Sequence, residues 1–194
     1  MIEELSLPDS VRDYLQDPAI RFAVDALLAL RPDKMPPDLE LHELPTYLAA
    51  RSAAEMTRYE FAATSYQLWS AVWAPLLEDW EPARFDELMA NAMAVSPTQC
   101  WEEKGFNIWH RRDGRYLYTA VAIAPKSTSI AISLEDDVKV LTETASNFVW
   151  TESDDWNGWL VHEQAGGLAD DDFDLARLRN TAAAAYQQVS VVAG

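Results

Sequence analysis

The residues that could do chemistry lie near the end of the chain, where tryptophans alternate with carboxylates. Asn157-Gly158 is a dipeptide typical of two-residue hairpin turns, and a turn there places Trp156 opposite Trp159 and Glu152 opposite Glu163. In this register three carboxylates and three indoles share one face of the hairpin. The predicted binding residues are Trp150, Glu152, Asp154, Trp156, Trp159 and Glu163.

Indole rings beside carboxylates suit a sugar ring, a cationic small molecule or an arginine-rich protein surface. Facing carboxylates such as Glu152 and Glu163 favour a bound cation or basic group between them, or one protonated carboxyl. The alternative interpretation is that the tryptophans belong to the core and that the register is shifted. A slip of one residue would exchange the two faces of the strand.

Other chemical signatures in the chain are weak. Ser153 faces His162 in the same register, with Asp155 nearby, but a cross-strand hydrogen bond explains this pair without catalysis. The run 170–174 imitates the start of a calcium loop, yet Leu175 stands where such a loop needs glycine. Glycine-rich phosphate loops and Cys or His pairs at metal spacing are absent from the sequence. We therefore predict no catalytic residue, no metal site and no cofactor.

The charge of the chain is strongly negative and unevenly distributed. Its 15 basic and 32 acidic side chains give a net charge of −17, and residues 135–174 alone hold 12 acids and one base. Such a surface repels phosphate, so we expect no direct binding of nucleic acid. It would attract a basic protein partner. The acidity could instead serve only solubility.

The elements that position these residues divide the chain into a helical half, 1–99, and a sheet half, 100–194, within one predicted domain. Helical spacing and capping residues predict three to four helices in the first half. They begin near Ser10 and cover Ala19–Leu30, Thr46–Trp73 and Glu81–Met93. Trp69, Val72, Trp73 and Leu76 form one stripe of the longest helix and are expected to face the core.

Beyond Cys100 the apolar period changes to two, which predicts a mostly antiparallel sheet of five to six strands. Phe106–His110 and Arg115–Ala124 form a hairpin around Asp113-Gly114, and Ser129–Leu134 and Val138–Thr144 follow. A helix from Phe173 to Val189, with Asp170, Asp171 and Asp172 at its N-terminus, closes an α+β fold.

The chain has one cysteine and opens on Met1-Ile2-Glu3-Glu4, which favours a reducing cytoplasm and predicts no signal peptide. Its apolar runs are too short to cross a membrane. Three functions remain open: an acidic binding module of the inhibitor, antitoxin, immunity or nucleic-acid-mimic type, a small-molecule or carbohydrate-binding domain or hydrolase, and a structural homodimer. We favour the first, with the acidic second half binding a basic partner protein.

Overall fold

Among the residues that the computed structural model describes, three helices precede an antiparallel sheet and a fourth helix follows it. The structure describes residues 5–30, 36, 38–82, 105–134, 149–153 and 156–193, and for 149–153, 156–165 and 191–193 it describes only the backbone. The predicted α+β class, antiparallel sheet and C-terminal helix are confirmed.

The first two helices are short and are separated by a single residue. Helix α1 spans Asp9–Gln16 and helix α2 spans Pro18–Ala29. The Asp17 carboxylate accepts a hydrogen bond from the backbone N–H of Ala19 at 2.7 Å and so caps α2. Pro18 lies in the first turn of α2, where its missing N–H leaves no hydrogen bond unmade.

Helix α3 spans Leu44–Val72, close to the predicted Thr46–Trp73. Its 29 residues make it about 43 Å long. Beyond its end, Pro75 lies in the 3₁₀ turn Ala74–Leu76, as expected of a residue that cannot continue an α-helix. The buried side chains of α3 lie between Ala54 and Val72, and its first ten residues contribute none. Only the later part of this helix therefore contributes to the core.

The strands of the sheet are ordered β1-β2-β3-β4-β6-β5, all antiparallel. Four strands have eight to ten residues: β2 Gly105–Arg112, β3 Arg115–Ile123, β4 Ser127–Leu134 and β6 Trp156–Ala165. The edges carry the short segments β1 Glu81–Pro82 and β5 Val149–Ser153. Within the described residues the body of the sheet thus has four long strands rather than five to six.

The turn between β2 and β3 forms at the predicted dipeptide. Asp113 and Gly114 have φ values of 51° and 79°, the left-handed conformation that a tight hairpin turn requires at both central positions. This turn fixes the register of β2 on β3, in which Trp109 faces Tyr118.

Two predicted elements need correction. The sequence predicts a helix that begins at Glu81, but Glu81 and Pro82 pair with β2 as an edge strand, where a proline costs no ladder hydrogen bond. The rest of that helix and the strand Val138–Thr144 fall outside the described residues.

Helix α4 spans Leu175–Ala193, and its first turn is capped by Asp174, which accepts from the Arg177 N–H at 2.9 Å. The sequence places Asp170 at the N-terminus of this helix, but in the structure Asp170 lies in the preceding loop, where its carboxylate accepts a hydrogen bond from the Gly167 N–H.

The core lies between one face of the sheet and helices α3 and α4. Trp69 and Trp73, from the predicted stripe, are 5% and 0% exposed. Their indole N–H groups donate to the Thr119 hydroxyl and the Ala120 carbonyl, both at 3.0 Å, and so attach α3 to the central strand β3. Two hydrogen bonds, in addition to packing, therefore fix the position of α3 on the sheet.

Candidate functional site

The register of the last hairpin differs from the predicted one. Strand β6 begins at Trp156 and runs through Asn157-Gly158, so this dipeptide lies within a strand rather than at the turn. Across the hairpin, Trp150 is paired with Leu160 and Trp156 with Ser153. The predicted turn, and with it the pairing of Glu152 with Glu163, is therefore wrong.

Pairing with the neighbouring strand β4 explains this register. Ile130 and Ile132 of β4 are almost fully buried, and they are paired with His162 and Leu160 of β6. The alternating apolar residues of β4 fix one face of the sheet toward the core, and residues 160–165 of β6 are aligned to β4. This alignment outweighs the turn preference of two residues.

The predicted binding residues do not share one face of the sheet. Paired residues of antiparallel strands lie on the same face of the sheet, and neighbouring residues of one strand lie on opposite faces. Trp150 is paired with Leu160, whereas Trp159 is paired with Thr151. The positions of Trp150 and Trp159 are therefore on opposite faces. Asp154 falls outside the described residues, as do the side chains of the other five. The binding role of these six residues stays a prediction.

Helix α2 presents an apolar surface that the described part of the chain leaves largely uncovered. Ten of its twelve residues are Ala, Leu, Ile, Val, Phe or Pro, yet none of its side chains, all of which the structure describes, is buried. Phe22 is 75% exposed and Ile20 is 39% exposed. A helix that is apolar around most of its circumference normally lies inside a protein or an interface.

The two charged residues of α2 are both engaged by α1. The Arg21 guanidinium donates to the Leu15 carbonyl at 3.0 Å, and Asp25 accepts from the Tyr14 hydroxyl at 3.0 Å. Burial, with a further contribution from Asp25, raises the pKa of Tyr14 above its usual range, so this tyrosine stays a neutral donor. The outward side of α2 around Phe22 consequently carries no charge.

Arg51 of α3 fixes the end of α2. Its guanidinium donates to the carbonyls of Leu27 and Leu30, the latter at 2.7 Å, and pairs with Glu55 at 3.1 Å. These carbonyls lie at the C-terminus of α2, where a cation is also favoured by the helix dipole. The outward apolar face of α2 is thus held in a fixed orientation on α3.

A second uncharged surface runs along α3. Six exposed residues recur at spacings of three or four, which places them on one side of the helix. They are Leu48, Ser52, Met56, Tyr59, Ala63 and Tyr66, which we call the outer stripe. Its four large side chains are 38–56% exposed. The four charged residues of α3 lie outside the outer stripe and sum to zero.

Two further features resemble sites by their position but serve the fold. A groove of about 520 Å³ lies between the end of α3 and α4, with an apolar lining that includes Ala74 and Pro75. Its arginine, Arg179, donates to the Ala71 carbonyl at 2.9 Å and so joins α4 to α3. His110 is 3% exposed, stacks on Trp69 and has a pKa lowered to about 4 by burial, so it is a neutral core residue at physiological pH.

No protein-family model matches the chain, and neither a curated protein nor a solved structure is significantly similar to it. Among the described helices, none is long and apolar enough to cross a membrane. Within the described part of the chain, no three His, Cys, Asp or Glu side chains are grouped closely enough to hold a metal ion.

Sequence reasoning missed the exposed surfaces of α2 and α3. It predicts a helix over Ala19–Leu30 without asking what covers its apolar residues, and it assigns the longest helix a single stripe, which contains Trp69 and Trp73. The signal was available: α3 repeats apolar residues on two sides, with Trp69 on one and Met56 on the other. A second apolar side of a long helix requires a second covering element.

Proposed function

We propose that this protein is a binding module that docks a partner protein through the apolar face of α2. The observation that carries the proposal is that α2, with ten apolar residues among its twelve, contributes no buried side chain to its own fold. Its exposed residues Ala19, Phe22, Ala23, Ala26 and Ala29 follow the spacing by which a helix fills a groove. Phe22 would be the anchor.

The partner surface would be apolar at its centre and basic at its border. The centre follows from α2, where Arg21 and Asp25 are engaged within the chain. The border follows from two exposed acids, Asp13 in α1 and Asp17 at the N-terminus of α2. Interfaces commonly combine an apolar centre with a polar border, and a net charge of −17 would steer a basic partner toward the site.

The acidic second half belongs to this proposal as a source of steering. Asp170, Asp171 and Asp172 are exposed and add to the charge of residues 135–174. A basic partner would therefore be attracted by most of the molecule and bound at α2. A location in a reducing cytoplasm, favoured by the single cysteine, is part of the same proposal.

The experiment compares Phe22→Glu with the control Ala184→Glu, which adds the same charge at an exposed position of α4. Immobilised chain is exposed to native lysate, each retained protein is purified, and its affinity is measured for all three forms. We expect Phe22→Glu to weaken binding about 100-fold, as for a central aromatic anchor, and Ala184→Glu to change it less than about twofold. Equal binding by Phe22→Glu and native protein would refute α2 as the site.

A further inference from the structure

We propose that the outer stripe of α3 is the contact surface for a second copy of this chain, and that two α3 helices pair antiparallel about a twofold axis. The proposal concerns a surface separate from the α2 face, so it stands or falls independently of the proposed function. It rests on the charge, the size pattern and the area of the outer stripe.

The charge of the outer stripe favours a copy of the same chain over a charged partner. Two copies of a molecule with a net charge of −17 repel each other wherever acidic surfaces meet. On α3 the charged residues are engaged locally: Glu55 pairs with Arg51 and with Arg58, and Glu60 accepts from the Ser10 hydroxyl. The outer stripe is thus an uncharged surface on which two such chains can meet without that repulsion.

The size pattern of the outer stripe is the same when read in either direction. From Leu48 to Tyr66 it runs large, small, large, large, small, large. In a twofold contact, if residue i touches residue j of the partner, residue j touches residue i. Antiparallel pairing centred between Met56 and Tyr59 sets these two residues opposite each other. It also sets Ser52 opposite Ala63, where two small side chains allow the helices to approach closely.

The area of the outer stripe is close to the smallest area that specific interfaces bury. It extends over about 27 Å of helix, and its four large side chains each expose roughly 100 Å². With the small residues between them and flanking positions such as Ala49, the contact approaches the lower range of specific interfaces, which bury about 1,200 Å² in total. The aromatic members are also held in place, since Arg58 lies 5.0 Å over the Tyr59 ring and Tyr66 packs edge-on to Phe106.

Analytical ultracentrifugation of the full chain between about 1 and 100 μM provides the first test. We expect a species of twice the 21.8 kDa chain mass, with association that does not weaken as salt is raised, because salt screens the repulsion between two acidic chains. A chain that remains monomeric throughout this range would overturn the proposal, whereas binding of another protein through Phe22 would be unaffected by that result.

The second test uses charge exchange within the predicted pairing. Met56→Lys and Tyr59→Glu each place a charge in the centre of the contact. Each introduced charge has an oppositely charged neighbour on its own helix. The lysine at position 56 has Glu60 one turn further along the helix, and the glutamate at position 59 has the Arg58 guanidinium beside it. Each variant alone is expected to weaken dimerisation at least 100-fold, an effect of about the size found for a central anchor.

An equimolar mixture of the two variants should dimerise again. The introduced lysine of one chain then faces the introduced glutamate of the other, while the native Tyr59 and Met56 face each other at the symmetry-related position. When a variant pairs with itself, two like charges enter the contact and each faces an uncharged residue; in the mixture a single pair of opposite charges faces each other instead.

The outcomes of the mixing experiment separate the possibilities. Dimerisation of the mixture, but of neither variant alone, supports the antiparallel pairing. Two monomeric variants whose mixture stays monomeric would overturn it, as would two variants that dimerise like the native chain. Ala184→Glu serves as the control for added charge and should leave the dimer intact. Circular dichroism melting of every variant establishes that each is folded.

Discussion

His110 should make the stability of this protein depend on pH between about 4 and 6.5. The imidazole is 3% exposed, stacks on Trp69 with ring centroids 5.6 Å apart, and its Nδ1 atom has no hydrogen-bond partner in the described part of the chain. Burial lowers its pKa from 6.5 to about 4 in the folded state. Between these two values the unfolded chain binds a proton that the folded chain does not, so stability is full above pH 6.5 and falls as pH falls toward 4.

The magnitude follows from the two pKa values. Going from pH 8 to pH 5, the unfolded histidine becomes almost fully protonated while the folded one stays mostly neutral, which costs about 2 kcal/mol of the free energy of unfolding. The full difference, reached below pH 4, is about 3 kcal/mol. With a urea dependence of about 2 kcal/mol per molar for a chain of this size, the midpoint of unfolding should move by about 1 M at pH 5.

The assay is urea unfolding at pH 8 and pH 5 for the native chain and for His110→Phe, which keeps an aromatic ring against Trp69 but cannot titrate. Protonation of carboxylates also relieves repulsion in so acidic a chain, so the informative quantity is the difference between the two forms. His110→Phe should lose about 2 kcal/mol less than the native chain on acidification. The exposed His42, replaced in His42→Gln, is the control histidine. Equal pH dependence of native chain and His110→Phe would refute the reasoning.

Two further predictions concern the attachment of the helices. Trp73→Phe should lower the free energy of unfolding by about 1–3 kcal/mol, measured by urea unfolding, because it removes the indole donor to Ala120 and leaves a small cavity at a fully buried position. A change below about 0.5 kcal/mol would contradict the assigned hydrogen bond. Arg51→Met should accelerate amide hydrogen exchange in α2 more than in the second half of α3, since the arginine binds the last carbonyls of α2; equal acceleration in both helices would argue against this local role.

The parts of the fold that the sequence predicts well are those determined by neighbours along the chain. The predicted bounds of α3 lie within two residues of its start and one of its end, because a long run free of glycine, with prolines only near its ends, leaves few alternatives. The Asp113-Gly114 turn is correct because positive φ at two successive residues is a local requirement. Trp69 and Trp73 are correctly assigned to the core because apolar spacing identifies a buried side of a helix.

The last hairpin shows where local reasoning fails. Asn157-Gly158 favours a turn by its own conformational preference, but Leu160 and His162 are also aligned with Ile132 and Ile130 of the adjacent strand. The second requirement involves residues some thirty positions away, and pairing with a strand that buries Ile130 and Ile132 outweighs a turn preference. A site defined by which residues face each other needs this pairing, so the grouping of Trp159 with Trp150 could not be derived from their own segment.

The outer stripe poses a different problem, because apolar periodicity does not distinguish a core from an interface. The side of α3 that carries Trp69 and the side that carries Met56 both repeat every three or four residues, and the same free energy of removing apolar surface from water drives the burial of each. What separates them is how each is covered: the sheet, α1, α2 and α4, as far as the structure describes the chain, leave the outer stripe exposed. The proposed dimer would cover this second side, and the neutrality of that side in a chain of net charge −17 is the observation that favours a copy of the same chain.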